Sequence, residues 1–333
     1  MIWTRRIALV TAGICSAVAV IGLLGRLSDI ADSVNQLSML WCPIGLLASA
    51  FLIRTARQAA IASFVTLGLY ASVMLVPELF AKAAVHREMG GSGDIKLIQF
   101  NLFKNNRDPQ AALDWLLAQD ADIITISEGS NNARQILRGL QPDYPYQFSC
   151  RAKYFCSTLI LSKRPPLEVE HLGTGDQENA KGLSAVKATF EDGSVPFSVI
   201  SVHLMRPWPF NDQRSAIQTL RQAVRRSARD TLIVAGDFNT PPHSYAMERL
   251  DRALGLRRIT RELPTWPALL PRRRSWPLPL LGLDHVYVGR AWRVASLRTG
   301  PSRGSDHRPV IATLALARSP APSGSSAIDS MKR

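Results

Sequence analysis

Three long apolar runs open the chain and then stop. Ile7 to Gly25 is a 19-residue run without a charge, Leu37 to Ile53 is a second run interrupted by Pro43, and Ala59 to Pro77 is a third. Each approaches the roughly 20 residues a helix needs to cross the hydrocarbon of a bilayer. The pattern therefore predicts three spanning helices, at about 7–25, 37–53 and 59–77. The alternative is a single signal anchor followed by buried core helices. Cleavage of the first run as a signal peptide is disfavoured, because the run is long and further apolar runs follow it. Val85 to Gly93, ending in Gly-Gly-Ser-Gly, reads as a linker.

Beyond the linker the period changes. Short apolar runs typical of buried strands occur at Ile95–Phe100, Ile123–Ile126, Ser157–Ser162, Ala185–Phe190, Phe197–Val202, Thr231–Ala235, Val286–Val288 and Val310–Leu316. Helical spacing marks Pro109–Gln119, Asn132–Leu140, Asn211–Ala228 and Ser244–Leu254. Several strands follow one another directly. That favours an α/β or α+β layered sandwich over a strictly alternating parallel sheet. The division is then a transmembrane region with linker over 1–93, one domain over 94–317, and a disordered tail of Ser, Pro and Ala over 318–333.

Charge adds orientation. Arg5 and Arg6 precede the first run, and Arg54 and Arg57 separate the second from the third. Basic flanks stay cytoplasmic. Three crossings therefore put everything after Pro77 on the far side of a bacterial inner (cell) membrane, in the periplasm or outside the cell. The chain carries a net charge of +14. Residues 1–93 hold seven Lys/Arg against four Asp/Glu, so +11 belongs to the remainder. Such a domain suits an anionic partner, either nucleic acid, an acidic lipid surface or a phosphate ester; a generally Arg-rich proteome would give the same excess. Cys15 and Cys42 fall in the apolar runs. The close spacing of Cys150 and Cys156 suits a local disulfide in an oxidising compartment, with two unpaired core thiols as the alternative.

Polar residues recur where the predicted strands end. Asn101 follows Ile98-Gln99-Phe100, Glu128 follows Ile123 to Ser127, and His203 follows Val199 to Val202. Asp237 and Asn239 follow Leu232 to Gly236. Asp284 opens the Val286 strand, and Gly304-Ser305-Asp306-His307 leads into the Val310 strand. Strands of one sheet bring such ends together. Any one of these could be a turn former, a cap or a packed histidine; six in one chain are hard to explain that way. Asp is a hard oxygen ligand for Mg²⁺ or Mn²⁺, and His moves protons near neutral pH.

This order of motifs, with Gly236-Asp237-Phe238-Asn239 and Ser305-Asp306-His307 the most specific, resembles the endonuclease/exonuclease/phosphatase superfamily, in its membrane-anchored bacterial branch. The resemblance covers about residues 94–317. It implies a four-layer sandwich of two mixed β-sheets flanked by helices, with Mg²⁺ or Mn²⁺ at the sheet edge. By position, Glu128 would be the main metal ligand with Asn101 beside it, and Asp306 a further ligand. His307 would deprotonate the attacking water or hold a phosphoryl oxygen, with Asp284 orienting it. Asp237 would position or activate the nucleophile, Asn239 would contact the phosphate, and His203 would stabilise the transition state or assist the leaving group. Phe103 stands where some nucleases carry an acidic residue, Ser127 where Gln is usual, and His285 where an aromatic residue is frequent.

The implied activity is metal-dependent hydrolysis of a phosphodiester by in-line attack of water, most simply that of a nuclease. A phospholipid or small phosphate ester is the alternative substrate, and an inactive binding module the alternative class. Arg206 and Arg214 are candidates for the anionic substrate, Arg214 alternatively for a carboxylate pair. The Pro264–Pro277 segment, with Trp266, Arg272, Arg273, Arg274 and Trp276, suits contact with phosphate or a membrane surface.

Overall fold

Strand β1 (Ile95–Asn101) shows how the sequence builds the domain. In a strand, alternate side chains face opposite ways. Ile95 and Leu97 enter the cluster between the two sheets, while Ile98 and Phe100 pack under helices on the other side. The same division splits the other central strands, so each sheet is buried on both faces and reads as a near-continuous apolar run. The computed structural model describes residues 2–106, 108–129, 133–151, 156–173, 182–208, 210–269 and 276–317. The proposed tail, and Leu270 to Ser275 of the Pro/Arg/Trp segment, lie outside the described residues.

The N-terminal helices are α1 (Ile2–Leu23), α2 (Asp29–Asp32), α3 (Ser38–Leu52), α4 (Arg57–Met74) and α5 (Val76–Glu88). Three helical stretches, Ile2–Arg26, Asp29–Leu52 and Arg57–Glu88, are long and apolar enough to cross a membrane. The residues read as the start of a linker continue the last of these, for helix runs to Glu88. The seam of this bundle is rich in small residues, with Leu52, Leu67, Tyr70 and Met74 as its large buried side chains. Ala8, Ala12, Cys15, Ala19 and Gly22 of α1 are buried against Cys42, Gly45 and Ser49 of α3 and Ala60 and Ser63 of α4. A Cβ on Gly45 would meet the Cβ of Cys15 at 2.6 Å, so only glycine permits this approach. Ser63 Oγ shares hydrogen bonds with Ser16 and Ser49 in the seam. Large apolar side chains such as Val10, Ile14, Leu47, Phe51, Val65 and Leu69 face outward.

The remainder continues as α6 (Pro109–Gln119), β2 (Ile123–Ser127), α7 (Arg134–Leu140), β3 (Tyr146–Ser149), β4 (Leu159–Ser162), β5 (Glu168–His171), β6 (Ser184–Asp192) and β7 (Val195–His203). Then come α8 (Phe210–Arg226), β8 (Leu232–Asp237), α9 (Tyr245–Leu254), β9 (Arg257–Arg258), β10 (Asp284–Val288), β11 (Trp292–Thr299) and β12 (Val310–Leu316). They form two mixed six-stranded sheets, ordered β11-β12-β1-β2-β4-β3 and β5-β6-β7-β8-β10-β9. The sheets pack face to face around Leu97, Ile123, Phe197, Val199, Ile233, Val286, Trp292 and Ala312. Helices α6 and α7 cover the outer face of the first sheet, through Trp115, Leu116 and Ile136 against Phe100 and Ile124. Helices α8 and α9 cover the second, through Leu220, Val224, Leu250 and Leu254 against Ile200, Val202 and Val234. The four-layer sandwich expected from the sequence is the observed fold.

Bundle and sandwich are joined by charge. Asp32 accepts from the backbone N–H groups of Tyr245 and Ala246 at 2.9 and 2.7 Å, capping α9 from outside its own chain segment. Asp29 pairs with Arg214 and Arg249. Glu78 binds Arg258 at 2.8 Å and Arg261 at 2.6 Å, and Asp251 holds the fully buried Arg258 side chain from the other side at 3.0 Å.

Candidate active site at the strand ends between the sheets

The inter-sheet face changes character along each strand. On β1 it runs Ile95, Leu97, Gln99, Asn101; on β7 it runs Val199, Ser201, His203; on β8, Ile233, Ala235, Asp237. Apolar residues hold the sheets together at one end, and polar ones face each other at the other. Register aligns them: His203 lies beside Asp237, Asp237 beside Asp284, and Asn101 beside Ser127. At Gly236 a Cβ would sit 1.8 Å from the Val202 carbonyl oxygen, so glycine lets β7 and β8 draw together just before the His203–Asp237 pair.

His307 and Asp284 form the tightest contact. Nδ1 of His307 donates to Asp284 Oδ2 at 2.7 Å, leaving Nε2 3.9 Å from Asp237 Oδ2. Burial pulls the imidazole down, but the Asp284 and Asp237 carboxylates outweigh it and raise the pKa to about 10. Burial, with Asp284 nearby, pushes Asp237 above the ordinary carboxyl range, while His307 keeps Asp284 below it. His203 Nε2 lies 3.9 Å from Asp237 Oδ2 and 3.3 Å from Asn239 Nδ2. Asn239 donates its backbone N–H to Asp237 Oδ1 at 2.8 Å. Asn101 Nδ2 donates to Asp237 at 2.8 Å and lies 3.4 Å from Glu128 Oε1. Glu128 and Asn239 both hold positive φ, 55° and 49°. Non-glycine residues bear that strain where surrounding bonds fix them.

Glu128 and Asp306 fit a divalent cation. Asp306 Oδ1 is buried without a hydrogen-bond partner. Burial, with the neighbouring Glu128 charge, raises the Asp306 carboxyl above its ordinary range, although the adjacent His307 charge pulls the other way. Oxygen donors without sulfur suit Mg²⁺ or Mn²⁺. Asp237, Asp284 and His307 also present ligand atoms within 4.8 Å of one another. His307 Nδ1 and Asp284 Oδ2 are already bonded to each other, and the Glu128 oxygens accept from Lys104 N–H at 2.9 Å and Asn101 Nδ2 at 3.4 Å, which leaves Asp306 Oδ1 as the unpartnered oxygen among these carboxylates. Asn101 spends its Oδ1 on the Phe103 N–H at 2.9 Å. It stands beside Glu128 as a donor rather than as a ready oxygen ligand.

The two arginines fare differently. Arg214 is engaged with Asp29 of the bundle, the carboxylate pair held open for it. Arg206 is exposed three residues beyond His203. His285 is fully buried; its Nε2–H donates to the Thr240 carbonyl at 3.1 Å, and burial lowers its pKa to about 3. It is a neutral packing residue. Cys150 and Cys156 are joined in a disulfide, Cα to Cα 5.5 Å. Sequence reading passed over Gln99, which donates to Asp284 at 3.3 Å, and Ser157, whose Oγ lies 2.7 Å from His203 Nδ1. It also passed over Ser305 Oγ, which donates to the Asn101 carbonyl at 2.6 Å and accepts from His307 N. A cleft of about 700 Å³, lined by Arg229, Arg257 and Trp292, lies elsewhere and includes none of these groups.

The model of the Endonuclease/Exonuclease/phosphatase family matches residues 98–307, well over half of the chain and spanning every strand end described above. The chain belongs to that family. Its fold is shared by solved structures. A family protein from Leptotrichia buccalis C-1013-b is 13% identical, covering 67% of this chain and 100% of its own, with a TM-score of 0.54. One from Bacteroides vulgatus is 17% identical, covering 67% and 98%, with a TM-score of 0.53. A Staphylococcus aureus beta toxin variant with bound magnesium ions is 14% identical, covering 66% and 99%, with a TM-score of 0.50. No curated protein sequence matches the chain.

Proposed function

We propose that the protein is a membrane-anchored, Mg²⁺- or Mn²⁺-dependent phosphodiesterase whose catalytic domain lies outside the cytoplasm. The observation that carries the reading is the convergence of His203, Asp237, Asn239, Asp284 and His307 at one strand edge, beside the Glu128–Asp306 pair, in a chain of this family. Glu128 and Asp306 would hold the cation, with Asn101 steadying Glu128. Bound there, the cation supplies Lewis-acid polarisation of a phosphoryl oxygen.

The chain's own groups cover the rest of the reaction. Asp237, its pKa raised by burial, takes the proton of the attacking water; Asn101 and the Asn239 backbone fix its carboxylate. Charged His307, held by Asp284 through Nδ1, offers Nε2–H to the negative charge growing on the phosphoryl group. Asn239 and His203, 3.3 Å apart, are placed for the phosphate and the leaving oxygen.

Three features support the anchor and its orientation. The bundle carries many large apolar side chains outward, Val10, Ile14, Leu47 and Leu69 among them, while small ones line the buried face of α1. The basic flanks at Arg5, Arg6, Arg54 and Arg57 lie at the end of the helices away from the sandwich. A disulfide suits an oxidising compartment. The test is hydrolysis of a soluble phosphodiester, bis-p-nitrophenyl phosphate, by the full-length chain with and without EDTA. Activity lost to the chelator and restored by Mg²⁺ is expected; the same rate in EDTA removes the metal-dependent reading. The basic charge by itself suits a nucleic-acid backbone and a lipid headgroup equally.

A further inference from the structure

The helices leave the bundle at the catalytic end of the sandwich. Helix α8 begins seven residues beyond His203, and its first turns put Arg214 on Asp29. Helix α9 begins eight residues beyond Asp237, and its first two N–H groups bind Asp32. Between Asn239 and α9, His243 places Nδ1 3.3 Å from the carbonyl of Met74, the last residue of α4, and Nε2 2.7 Å from Glu262. All three contacts lie just past the strand ends that carry the site, so the catalytic edge of the second sheet is the edge next to the bundle.

The loops beside the site reach the same level. Pro207, four residues past His203, shares a cleft of about 230 Å³ with Asp29, Ser33 and Gln36 of the α1–α3 connection. Leu280 and Pro279, just ahead of Asp284, share one of about 290 Å³ with Met39 in the first turn of α3 and Lys82 of α5. The second loop hangs on the site itself. Arg308, next to His307, donates to the Trp276 and Pro277 carbonyls, and Ala268 N–H donates to the Asp306 carbonyl at 2.7 Å. Both loops nevertheless carry exposed apolar side chains among their described residues: Leu278 is 66% and Trp208 69% accessible. Leu27 and Ile30 in the connection and Leu79 and Phe80 on α5 are exposed too. Exposed apolar side chains therefore occur on the helices, on their connection and on the loops beside the site. Beside them stands the exposed Arg206, a partner for phosphate.

We infer that this rim, Trp208 with Leu278 and Leu280, rests in the headgroup layer of the bilayer that holds the helices, and that the phosphodiester cleaved is that of a phospholipid. The inference rests on the phosphodiesterase reading and on the three spans. Leucine and tryptophan at that depth gain from burial, and the site beside them meets phosphates without leaving the membrane plane.

The test uses the full-length chain in vesicles of phosphatidylethanolamine and phosphatidylglycerol with Mg²⁺. Three substrates are compared: the vesicle lipid, plasmid DNA and bis-p-nitrophenyl phosphate. The variant is L278D/L280D, and bis-p-nitrophenyl phosphate reports that it folds. Lipid cleavage should exceed DNA cleavage and fall about tenfold or more in the variant, with the soluble substrate cleaved as before. A fluorophore on Leu278→Cys should be quenched by brominated lipid, and one on Arg293→Cys, in the cleft on the other face, should not. DNA cleaved in preference to lipid, unchanged lipid cleavage by the variant, or an unquenched position 278 would overturn the inference. Failure on bis-p-nitrophenyl phosphate by the unaltered chain would instead remove the phosphodiesterase reading.

Discussion

The helical bundle and the sandwich solve the same packing problem with opposite residues. In the sandwich, Phe197, Ile233, Val286 and Trp292 are buried between the sheets, and charged residues face out. In the bundle, many of the buried positions are alanine, glycine, serine and cysteine, beside Leu52, Leu67, Tyr70 and Met74, while Val10, Leu47 and Leu69 face out. Water drives the first arrangement by expelling apolar surface. It would not drive the second inside a bilayer, where close backbone approach and shared serine hydroxyls would hold the helices instead. If the bundle lies in a membrane as proposed, the two regions differ because they meet different solvents. The joint between them adds a third device: carboxylates, Asp29, Asp32 and Glu78, meet arginines and a helix N-terminus, beside the apolar contacts of Tyr245 and Val85.

Breaking the joint should have the largest effect on stability. Arg258 has no exposed side-chain surface and is held by Glu78 and Asp251. Removing one partner of such a network costs about 3–5 kcal/mol. Arg258→Ala should lower thermal stability accordingly, measured on the full-length protein in detergent. Next comes a matched pair that tests the contrast itself. Leu97→Ala, in the inter-sheet core, should cost about 2–5 kcal/mol. Leu47→Ala, on the outer face of α3 and 72% exposed, should be within about 0.5 kcal/mol. Equal losses would mean that Leu47 has a protein partner and that the bundle is not built outward to lipid. Asp32→Ala removes the cap supplied to α9 and should cost about 1 kcal/mol. The smallest effect is an acid limb. Although burial opposes it, Arg258 holds the Asp251 carboxyl below its ordinary pKa, so its contribution is full above that pKa. It is lost as pH falls through the depressed folded value. Unfolding midpoints followed from pH 6 downward should show this loss, and Arg258→Ala should flatten it.

Much of this was legible in the sequence, for identifiable reasons. The spans announce themselves by length, and the site by polar residues that interrupt strands at one end. Asp237, Asp284 and His307 were grouped by their places at predicted strand ends and by the order of their motifs. Gln99 was not legible as a site residue, since a glutamine inside a strand reads as an ordinary core position; its contact with Asp284 depends on the face-to-face stacking of two sheets. Arg214 looked like a substrate contact because it follows the His203 strand; its partner lies 185 residues earlier, in a connection no local pattern links to it. Strands β5 and β11 escaped notice because they are edge strands. Glu168–His171 has no apolar run, and Trp292–Thr299 alternates burial with exposed polar positions. The disulfide was read from spacing alone, and Ser157 beside it was missed because its bond to His203 spans 46 residues.

The central claim is that the strand-end cluster is a metal-dependent hydrolytic site, and one measurement tests it most directly. Full-length protein and its Glu128→Gln and His307→Ala variants are compared on bis-p-nitrophenyl phosphate across a Mg²⁺ titration, with unfolding curves confirming that each is folded. The account predicts that the unaltered protein is active only with the cation, and that each folded variant loses about 10²-fold or more in rate. Near-normal turnover by both variants at saturating Mg²⁺ would contradict it.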